Sequence, residues 1–263
     1  MQPDYKNWVP KGMAHGLAAG TVALAVGNVA AWTVGEVLNS AVRTAARAAL
    51  GTTFVACGAF ATWSLIARRA FSFEDEGSLS HRIVEGTADR VIIPTGGTCL
   101  DVGCGSGALS IAVAKRNPQA KVVGIDLWGA EYASFSQKLC ESNARAEGMD
   151  NVSFEPGDAR QLPFADESFD AVTSNYVYHN VVGSNKQDLL RETLRVLRKG
   201  GTFAIHDLMG PARYGDIQAF VESLRAEGYE HVELIPTDSG LFMNKGEATL
   251  MMLTGSTLLV GVK

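Results

Sequence analysis

Cysteine and basic charge are both scarce in this sequence, and each shortage excludes a class of protein. Only four of the 263 residues are cysteines, and they form no C-x-x-C pair and no spacing typical of a metal site. They are Cys57, Cys99, Cys104 and Cys140. We therefore predict reduced thiols in a cytosolic setting, without a metal. The formal net charge is −5, so the composition does not favour a nucleic-acid partner.

Formal charge is also absent from two long segments near the N-terminus, residues 16–35 and 48–67. Each is long enough to cross a hydrocarbon core of about 30 Å as a helix. The residues between them are more polar and include Asn39, Ser40, Arg43, Thr44 and Arg47. We predict a membrane hairpin with helices over about 16–38 and 48–67, joined by this polar turn. The hairpin would occupy residues 1–70, and a folded domain would occupy residues 71–263.

Small residues recur at every fourth position along the first of these helices. They are Ala23, Gly27, Ala31 and Gly35. Such a stripe lets two helices approach closely in lipid and would permit a homo-oligomer. The alternative is a buried, alanine-rich hairpin in a soluble oligomer, because Asn28 and Glu36 are costly in lipid.

Basic residues are distributed unevenly around the predicted hairpin. Four lie outside its two helices: Lys6, Lys11, Arg68 and Arg69. Two others, Arg43 and Arg47, lie in the predicted turn. The excess outside favours both ends of the hairpin, and the domain that follows it, on the cytoplasmic side of the membrane.

Beyond residue 71, short apolar runs alternate with amphipathic helical patterns. The predicted strands end near residues 101, 126, 155, 174, 206, 235 and 262, and the predicted helices cover 78–91, 108–116, 131–147, 186–197 and 217–227. This alternation predicts an α/β domain with a doubly wound, mostly parallel sheet. The apolar residues between positions 235 and 258 are expected to form a β-hairpin packed on the sheet, or alternatively to cover an apolar substrate.

The segment from Thr98 to Ser110 carries the strongest functional signal. An apolar run ends at Asp101, and Gly103, Gly105 and Gly107 then precede a helical pattern. Glycine is needed where a backbone turns sharply or approaches a ligand closely, and a helix N-terminus behind such a turn presents free N–H groups. The spacing is G-x-G-x-G rather than G-x-G-x-x-G, which argues against a dinucleotide-dependent oxidoreductase.

Polar residues also lie at or just after four other predicted strand ends. They are Asp126, Asp158, Asn175 and His206. Because the carboxyl ends of parallel strands meet at one edge of a sheet, we expect these side chains to surround a ligand there.

Four stretches in this region together resemble the class I S-adenosylmethionine (SAM) methyltransferases. They read LDVGCGSGALS (100–110), GIDLW (124–128), GDARQLPFADESFDAV (157–172) and LRVLRKGGTFAIHD (194–207). Within this class, these stretches are most similar in sequence to the ubiquinone/menaquinone C-methyltransferase group. The resemblance implies a seven-stranded Rossmann-like methyltransferase sheet, SAM as the cofactor and a small-molecule acceptor.

The resemblance also implies a cofactor site of nine residues. They are Asp101, Gly103, Gly105, Gly107, Asp126, Leu127, Asp158, Ala159 and Asn175. The glycines would let the backbone approach SAM, and Asp101 would orient the loop or accept from the methionine amine. Asp126 would accept from both ribose hydroxyls, since a carboxylate offers two oxygens. Asp158 would accept from the adenine amino group, with the Ala159 N–H beside it, and Leu127 would cover one face of the adenine. Asn175 would line the methyl-transfer cleft.

Three residues are candidates for catalysis: His179, Tyr178 and His206. Either histidine could remove a proton from the acceptor, and Tyr178 could stack on it or bond to it. Each could instead be a structural hydrogen-bonding group. Asp207 follows His206 directly, but adjacent strand residues point to opposite faces, so no dyad is predicted between them.

The resemblance and the hairpin together predict a membrane-associated methyltransferase acting on a small lipophilic acceptor. One alternative is methylation of a soluble thiol, amine or metalloid, with the hairpin serving only as an anchor. Another is a SAM-binding membrane module without catalytic activity.

Overall fold

The computed structural model describes residues 2–33, 39–129 and 134–263. The chain divides into two compact units. One is the helical segment Asn7–Ser78, and the other joins the N-terminal residues up to Lys6 with Leu79–Lys263. The sequence placed the division at residue 70; in the structure it follows Ser78.

The helical unit consists of α1 (Lys11–Thr33) and α2 (Ser40–Ala70). The second helix begins eight residues earlier than the predicted start at residue 48, so the polar residues expected in a turn belong to the helix, except for Asn39. Asn39 caps it by accepting from the Val42 N–H at 2.9 Å. The Arg47 guanidinium donates to the carbonyl groups of Ala31 and Trp32, which explains why a charged residue is accommodated there. Gly35 and Glu36 lie outside the described residues.

The helices α1 and α2 pack closely against each other, and their contact includes one polar interaction. Asn28 donates to the carbonyl of Leu50 across the pair at 3.2 Å. A Cβ on Gly58 would lie 3.5 Å from the Thr21 methyl group, whereas one on Gly27 would meet no atom within 4 Å. Gly27 of the predicted small-residue stripe therefore does not mediate this contact.

Both helices present apolar side chains outward. On α1 the exposed fractions of four large apolar side chains lie between 64 % and 65 %: Val22, Val26, Val29 and Trp32. Val55 and Leu65 of α2 are also more than half exposed. By length and composition, both helices could cross a membrane.

The second unit contains a seven-stranded sheet. Its strands are β1 (Thr98–Val102), β2 (Lys121–Asp126), β3 (Val152–Pro156), β4 (Phe169–Asn175), β5 (Leu197–Leu208), β6 (Glu230–Pro236) and β7 (Ser256–Val262). They lie in the order β3-β2-β1-β4-β5-β7-β6. The first five are parallel, and β7 runs antiparallel between β5 and β6. This confirms the predicted doubly wound, mostly parallel, seven-stranded α/β sheet.

Helices connect most of the strands. They are α3 (Leu79–Ala88), α4 (Ala108–Arg116), α5 (Gln137–Ala146), α6 (Lys186–Arg195), α7 (Pro211–Tyr214), α8 (Ile217–Ala226) and α9 (Lys245–Leu250). Apolar side chains of the strands and of α6 and α8 form an extensive buried cluster, which includes Leu100, Leu190 and Leu224. The start predicted for the helix after β2, Glu131, lies outside the described residues.

Two local predictions differ from the structure. The expected β-hairpin between residues 235 and 258 is instead a loop followed by α9, because Asn244 and Glu247 form a reciprocal capping box that starts a helix. The strand β5 begins at Leu197 rather than at residue 202, because Leu197 already pairs with Phe169 of β4; the register then shifts before Thr202 pairs with Ala171, and Gly200, with φ +76°, lies within this irregularity.

The strand order reverses between β1 and β4, because the sheet continues from β1 to β2 and β3 on one side and from β4 to β5 on the other. At such a switch point the connections after the two strands diverge and leave a crevice at the carboxyl edge. The glycine loop after β1 and the segment after β4 therefore lie on either side of this crevice.

We predict that Gly124→Ala destabilises the second unit. A Cβ at this β2 position would lie 2.7 Å from Ser110 Oγ and 2.8 Å from Phe154 Cδ1, so one added methyl group overpacks the α4 contact. The free energy of unfolding should fall by about 1–3 kcal/mol in urea titrations. The matched control is Gly210→Ala, where a Cβ meets no atom within 4 Å. Equal stability of the two variants would contradict the packing described here.

Candidate active site

The glycine loop has three residues in left-handed conformations. The φ angles are +74° at Gly103, +56° at Gly105 and +85° at Gly107. A Cβ on Gly103 would lie 2.4 Å from Val177, and one on Gly107 would lie 3.0 Å from Phe154, whereas one on Gly105 would meet no atom within 4 Å. The outer glycines are thus required by packing within the protein, and the central one faces open space that a ligand can occupy.

Asp126, at the end of β2, holds this loop in position. Its Oδ2 accepts from the Gly105 N–H at 2.9 Å, and its Oδ1 accepts from the Trp128 N–H at 2.8 Å. The Trp128 indole donates to the Gly105 carbonyl at 3.0 Å. Each carboxylate oxygen keeps a lone pair beyond the one used, so Asp126 can still accept from two hydroxyl groups.

Asp101 is buried beneath the loop. Its carboxylate accepts from the Ser110 hydroxyl at 2.5 Å and from the Thr173 hydroxyl at 2.9 Å. Burial raises the pKa of Asp101 to about 6, although both hydroxyl groups oppose the shift. The side chain joins β1, α4 and β4, an arrangement that fits the loop-orienting role expected for it.

The adenine side of the expected site lies at the ends of β2 and β3. Leu127 follows β2 and is 59 % exposed. The Asp158 carboxylate accepts from the Arg160 guanidinium and backbone N–H at 2.6–3.0 Å, and these bonds lower its pKa. An adenine amino group would therefore share this carboxylate with Arg160. Ala159 is half-buried beside it.

The end of β4 carries Asn175, whose side chain points towards β5. Its amide oxygen lies 2.8 Å from His206 Nδ1, and the other ring nitrogen of His206 lies 2.8 Å from the Thr237 hydroxyl. The amide oxygen can only accept, so Nδ1 carries the proton and Nε2 accepts from Thr237. Burial lowers the pKa of His206 to about 3, so the ring is neutral.

His179 lies in a single 3-10 turn, Tyr178–Asn180, just after β4. Its Nδ1 lies 2.5 Å from Asp207 Oδ1, and its backbone N–H donates to Oδ2. The Tyr214 hydroxyl donates to the same Oδ2 at 2.8 Å. Burial alone would raise the pKa of Asp207, but the bonds from His179, Tyr214 and the Leu208 N–H hold it below its usual value.

Tyr178 is fully buried, unlike the substrate-contacting residue that the sequence suggested. Its hydroxyl lies 2.6 Å from the Thr193 hydroxyl, and its ring belongs to the same buried apolar cluster as Leu100 and Leu190. His206 is equally buried, with both ring nitrogens occupied. Both residues therefore lie behind the crevice, where they support its walls, rather than on its surface.

Sequence reasoning missed Asp207 and Trp128. Alternation on β5 correctly separates Asp207 from His206, and the same rule sends Asp207 to the face where the turn after β4 places His179. That partner is 28 residues away in sequence, so no local spacing could reveal it. Trp128 stood within the GIDLW stretch, but only the structure shows its bond to the glycine loop.

Residues 100–205 match the family described as "Methyltransferase domain". Among curated proteins, the chain is 29 % identical over 171 residues to methyltransferase GfsG of Streptomyces halstedii, which covers 63 % of this chain and 59 % of that protein. It is also 29 % identical over 185 residues to demethylmenaquinone methyltransferase of Geobacillus stearothermophilus, covering 66 % of this chain and 76 % of that protein.

The fold also resembles solved structures. The crystal structure of the [4+2]-cyclase SpnF matches with a TM-score of 0.53 at 22 % identity, covering 69 % of this chain and 80 % of that one. This similarity supports the Rossmann-like fold of the second unit.

The residues at the carboxyl edge fit SAM. Gly105 faces open space, and the Asp126 carboxylate beside it has acceptor capacity for a ribose diol. Leu127 offers an exposed apolar surface next to Asp126. SAM is the cofactor of this domain, whereas the individual contacts are predictions.

We predict that the stability contributed by His206 depends on pH. Its pKa is about 3 in the folded chain, against an ordinary value of 6.5. Between these values the unfolded chain binds a proton that the folded chain does not, so lowering the pH destabilises the wild type. This residue contributes a loss of about 1.4 kcal/mol per pH unit.

The comparison is with His206→Asn, measured by urea titration between about pH 7 and pH 5. Asp101 titrates in the same range and contributes equally to both proteins, so it cancels from the difference. The stability advantage of the wild type over the variant should shrink as the pH falls below about 6.5. A constant difference would contradict a buried, neutral His206.

Proposed function

Because the chain carries a class I SAM-dependent methyltransferase domain, we propose that it methylates a small lipophilic acceptor at a membrane surface. When bound, SAM supplies an activated methyl group on a sulfonium. The observation that carries the lipophilic part of the proposal is the outward-facing apolar surface of α1 and α2.

That surface is large for a protein in water. The four exposed apolar residues of α1 extend from Val22 to Trp32, and α2 adds Val55, Leu65 and others. Large exposed apolar patches mark contacts with membranes or other proteins. A bilayer would cover them, and Trp32 with the Arg47 guanidinium 4.1 Å above its ring fits an interface.

An exposed apolar residue also lies in the segment after β4. Val182 is 89 % exposed and follows His179 by three residues. An acceptor with an apolar body would cover such a side chain. The relative from Geobacillus, named demethylmenaquinone methyltransferase, supports an acceptor of this class.

The cofactor contacts follow from the edge of the sheet. Asp126 would accept from the ribose hydroxyls, and Gly105 would let the loop approach SAM. Asp158 and the Ala159 N–H would meet adenine, while Leu127 would cover it. The other predicted members of the site act mainly by support: Asp101, Gly103, Gly107 and Asn175.

His179 is the residue we assign as general base. A carboxylate can only accept, so the short contact to Asp207 fixes the proton on Nδ1 and leaves Nε2 able to take one. The side chain is 11 % exposed, whereas that of Asp207 is fully buried. Asp207 would stabilise the imidazolium formed when His179 takes a proton from the acceptor.

Orientation of the hairpin follows from its basic residues. Lys11, Arg68 and Arg69 lie at its open end, whereas Arg43 and Arg47 lie near the start of α2. The excess at the open end supports a catalytic domain that faces the cytoplasm. A homo-oligomer built on the small-residue stripe stays a prediction.

The test is methyl transfer from labelled SAM by the full chain in detergent. The enzyme is incubated separately with a total lipid extract and with the aqueous small-molecule fraction of its host. Label in the organic phase is the expected result. Label only in aqueous products would favour a soluble acceptor with the hairpin as an anchor. Bound SAM without transfer to either fraction would favour a non-catalytic SAM-binding module.

We predict that His179→Asn lowers kcat by about 100-fold with the acceptor so identified, because general bases typically contribute that much. Asp207→Asn should also lower kcat and should change its pH profile, since the imidazolium loses its counter-charge. The affinity for SAM should be unchanged in both variants, as measured by isothermal titration calorimetry.

The matched control is His81→Asn, which removes a histidine from α3 rather than from the crevice. Its kcat should equal that of the wild type. Wild-type kcat in His179→Asn would show that the acceptor loses its proton without this base.

A further inference from the structure

We propose that the N-terminal strap, residues 2–6, is a positioning element of the SAM-binding loop and acts through Asn143. The proposal rests on the SAM site described above. The strap precedes the helical hairpin in sequence, yet it belongs to the same compact unit as the sheet. The chain thus contributes to the cofactor site from both sides of the hairpin.

Asn143, on α5, connects the strap to the loop. Its Oδ1 accepts from the Asp4 N–H at 2.7 Å, and its Nδ2 donates to the Asp4 carbonyl at 3.1 Å. The same Nδ2 donates to the Ser106 carbonyl at 3.0 Å. The side chain is 1 % exposed. One buried amide therefore uses both of its donors and its acceptor to link the strap to the glycine loop.

Tyr5 provides a second attachment. Its ring packs on a small cluster that includes Cys104, Cys140 and Ile111, directly beside the loop. Its hydroxyl donates to Glu147 Oε1 at 2.8 Å. The strap consequently contacts α5 through polar groups and the base of the glycine loop through an apolar ring.

These contacts fix the orientation of peptide groups in the loop. The Gly105 carbonyl accepts from Trp128 Nε1 at 3.0 Å and from the Cys140 thiol at 3.1 Å, and the next carbonyl, of Ser106, accepts from Asn143. A peptide group is planar, so holding its carbonyl also fixes the N–H on its other side. A loop held in its binding geometry binds its ligand without a further ordering cost.

The position of the strap has a practical consequence. Residue 7 follows it directly and opens the helical unit, where Asn7 donates to the Arg68 carbonyl at 2.8 Å and Trp8 stacks on Phe71. Any truncation that removes the hairpin from the N-terminus also removes the strap. Loss of SAM affinity after such a truncation would then reflect the loop rather than the membrane.

The test measures the dissociation constant for SAM in the full chain in detergent, by calorimetry and without an acceptor. The variants are a deletion of residues 2–5, Asn143→Ala, and both together. Each single change should weaken SAM binding by about tenfold, because the buried hydrogen bonds that hold the loop are lost. The double variant should lose less affinity than the product of the two single losses, because part of the effect of the strap passes through Asn143.

Asn151→Ala is the matched control. Asn151 also donates to backbone carbonyls, those of Ala114, Asn117 and Ala120, but these bonds involve neither the strap nor the glycine loop. It should lower thermal stability while leaving the dissociation constant within about twofold of the wild type. Hydrogen exchange of residues 103–110 should accelerate in the strap deletion and stay unchanged in Asn151→Ala.

Several outcomes would overturn the proposal. One is a strap deletion that binds SAM as tightly as the wild type. Another is an Asn151→Ala variant that loses as much affinity as Asn143→Ala, since the effect would then be general destabilisation. A wild-type chain that binds no SAM would overturn the cofactor site and the strap together. Failure to find an acceptor would leave these measurements unaffected and would count only against the proposed function.

Discussion

The two hydrogen bonds that Asp126 accepts from backbone N–H groups connect the parts of this site. One comes from Gly105 in the glycine loop, and the other comes from Trp128 after β2. The loop after β1 and the loop after β2 are therefore held by one carboxylate at the edge of the sheet. Its position follows from the parallel pairing of β1 with β2, which brings the carboxyl ends of both strands to the same edge.

Two neighbouring residues on β5 illustrate how burial and partners determine charge. His206 is buried against neutral groups and is held neutral, whereas Asp207 is buried among donors and is held charged. Alternation along the strand places them on opposite faces. Asp207 can therefore serve His179 in the crevice, while His206 supports the packing behind it.

Much of the fold could be predicted because its signals are local. Three signals can each be recognised within about ten residues: the strand ends at Asp126 and Asn175 and the glycine spacing after Asp101. The structure places all three at one edge of the sheet. What could not be predicted depends on distant partners. The contact between His179 and Asp207 and the bridge from Asp4 through Asn143 to Ser106 join segments far apart in sequence. Likewise, Arg47 lies within α2, and its guanidinium donates to carbonyl groups of α1, which charge counting alone could not show.

The most direct test of this account is a calorimetric titration of Asp126→Ala with SAM. Loss of the carboxylate removes the ribose acceptor and releases Gly105 and Trp128, so affinity should fall by more than about tenfold. Glu155→Ala removes an exposed carboxylate from the adjacent strand and should bind as the wild type does. Unchanged affinity in Asp126→Ala would contradict the placement of the cofactor at this edge of the sheet.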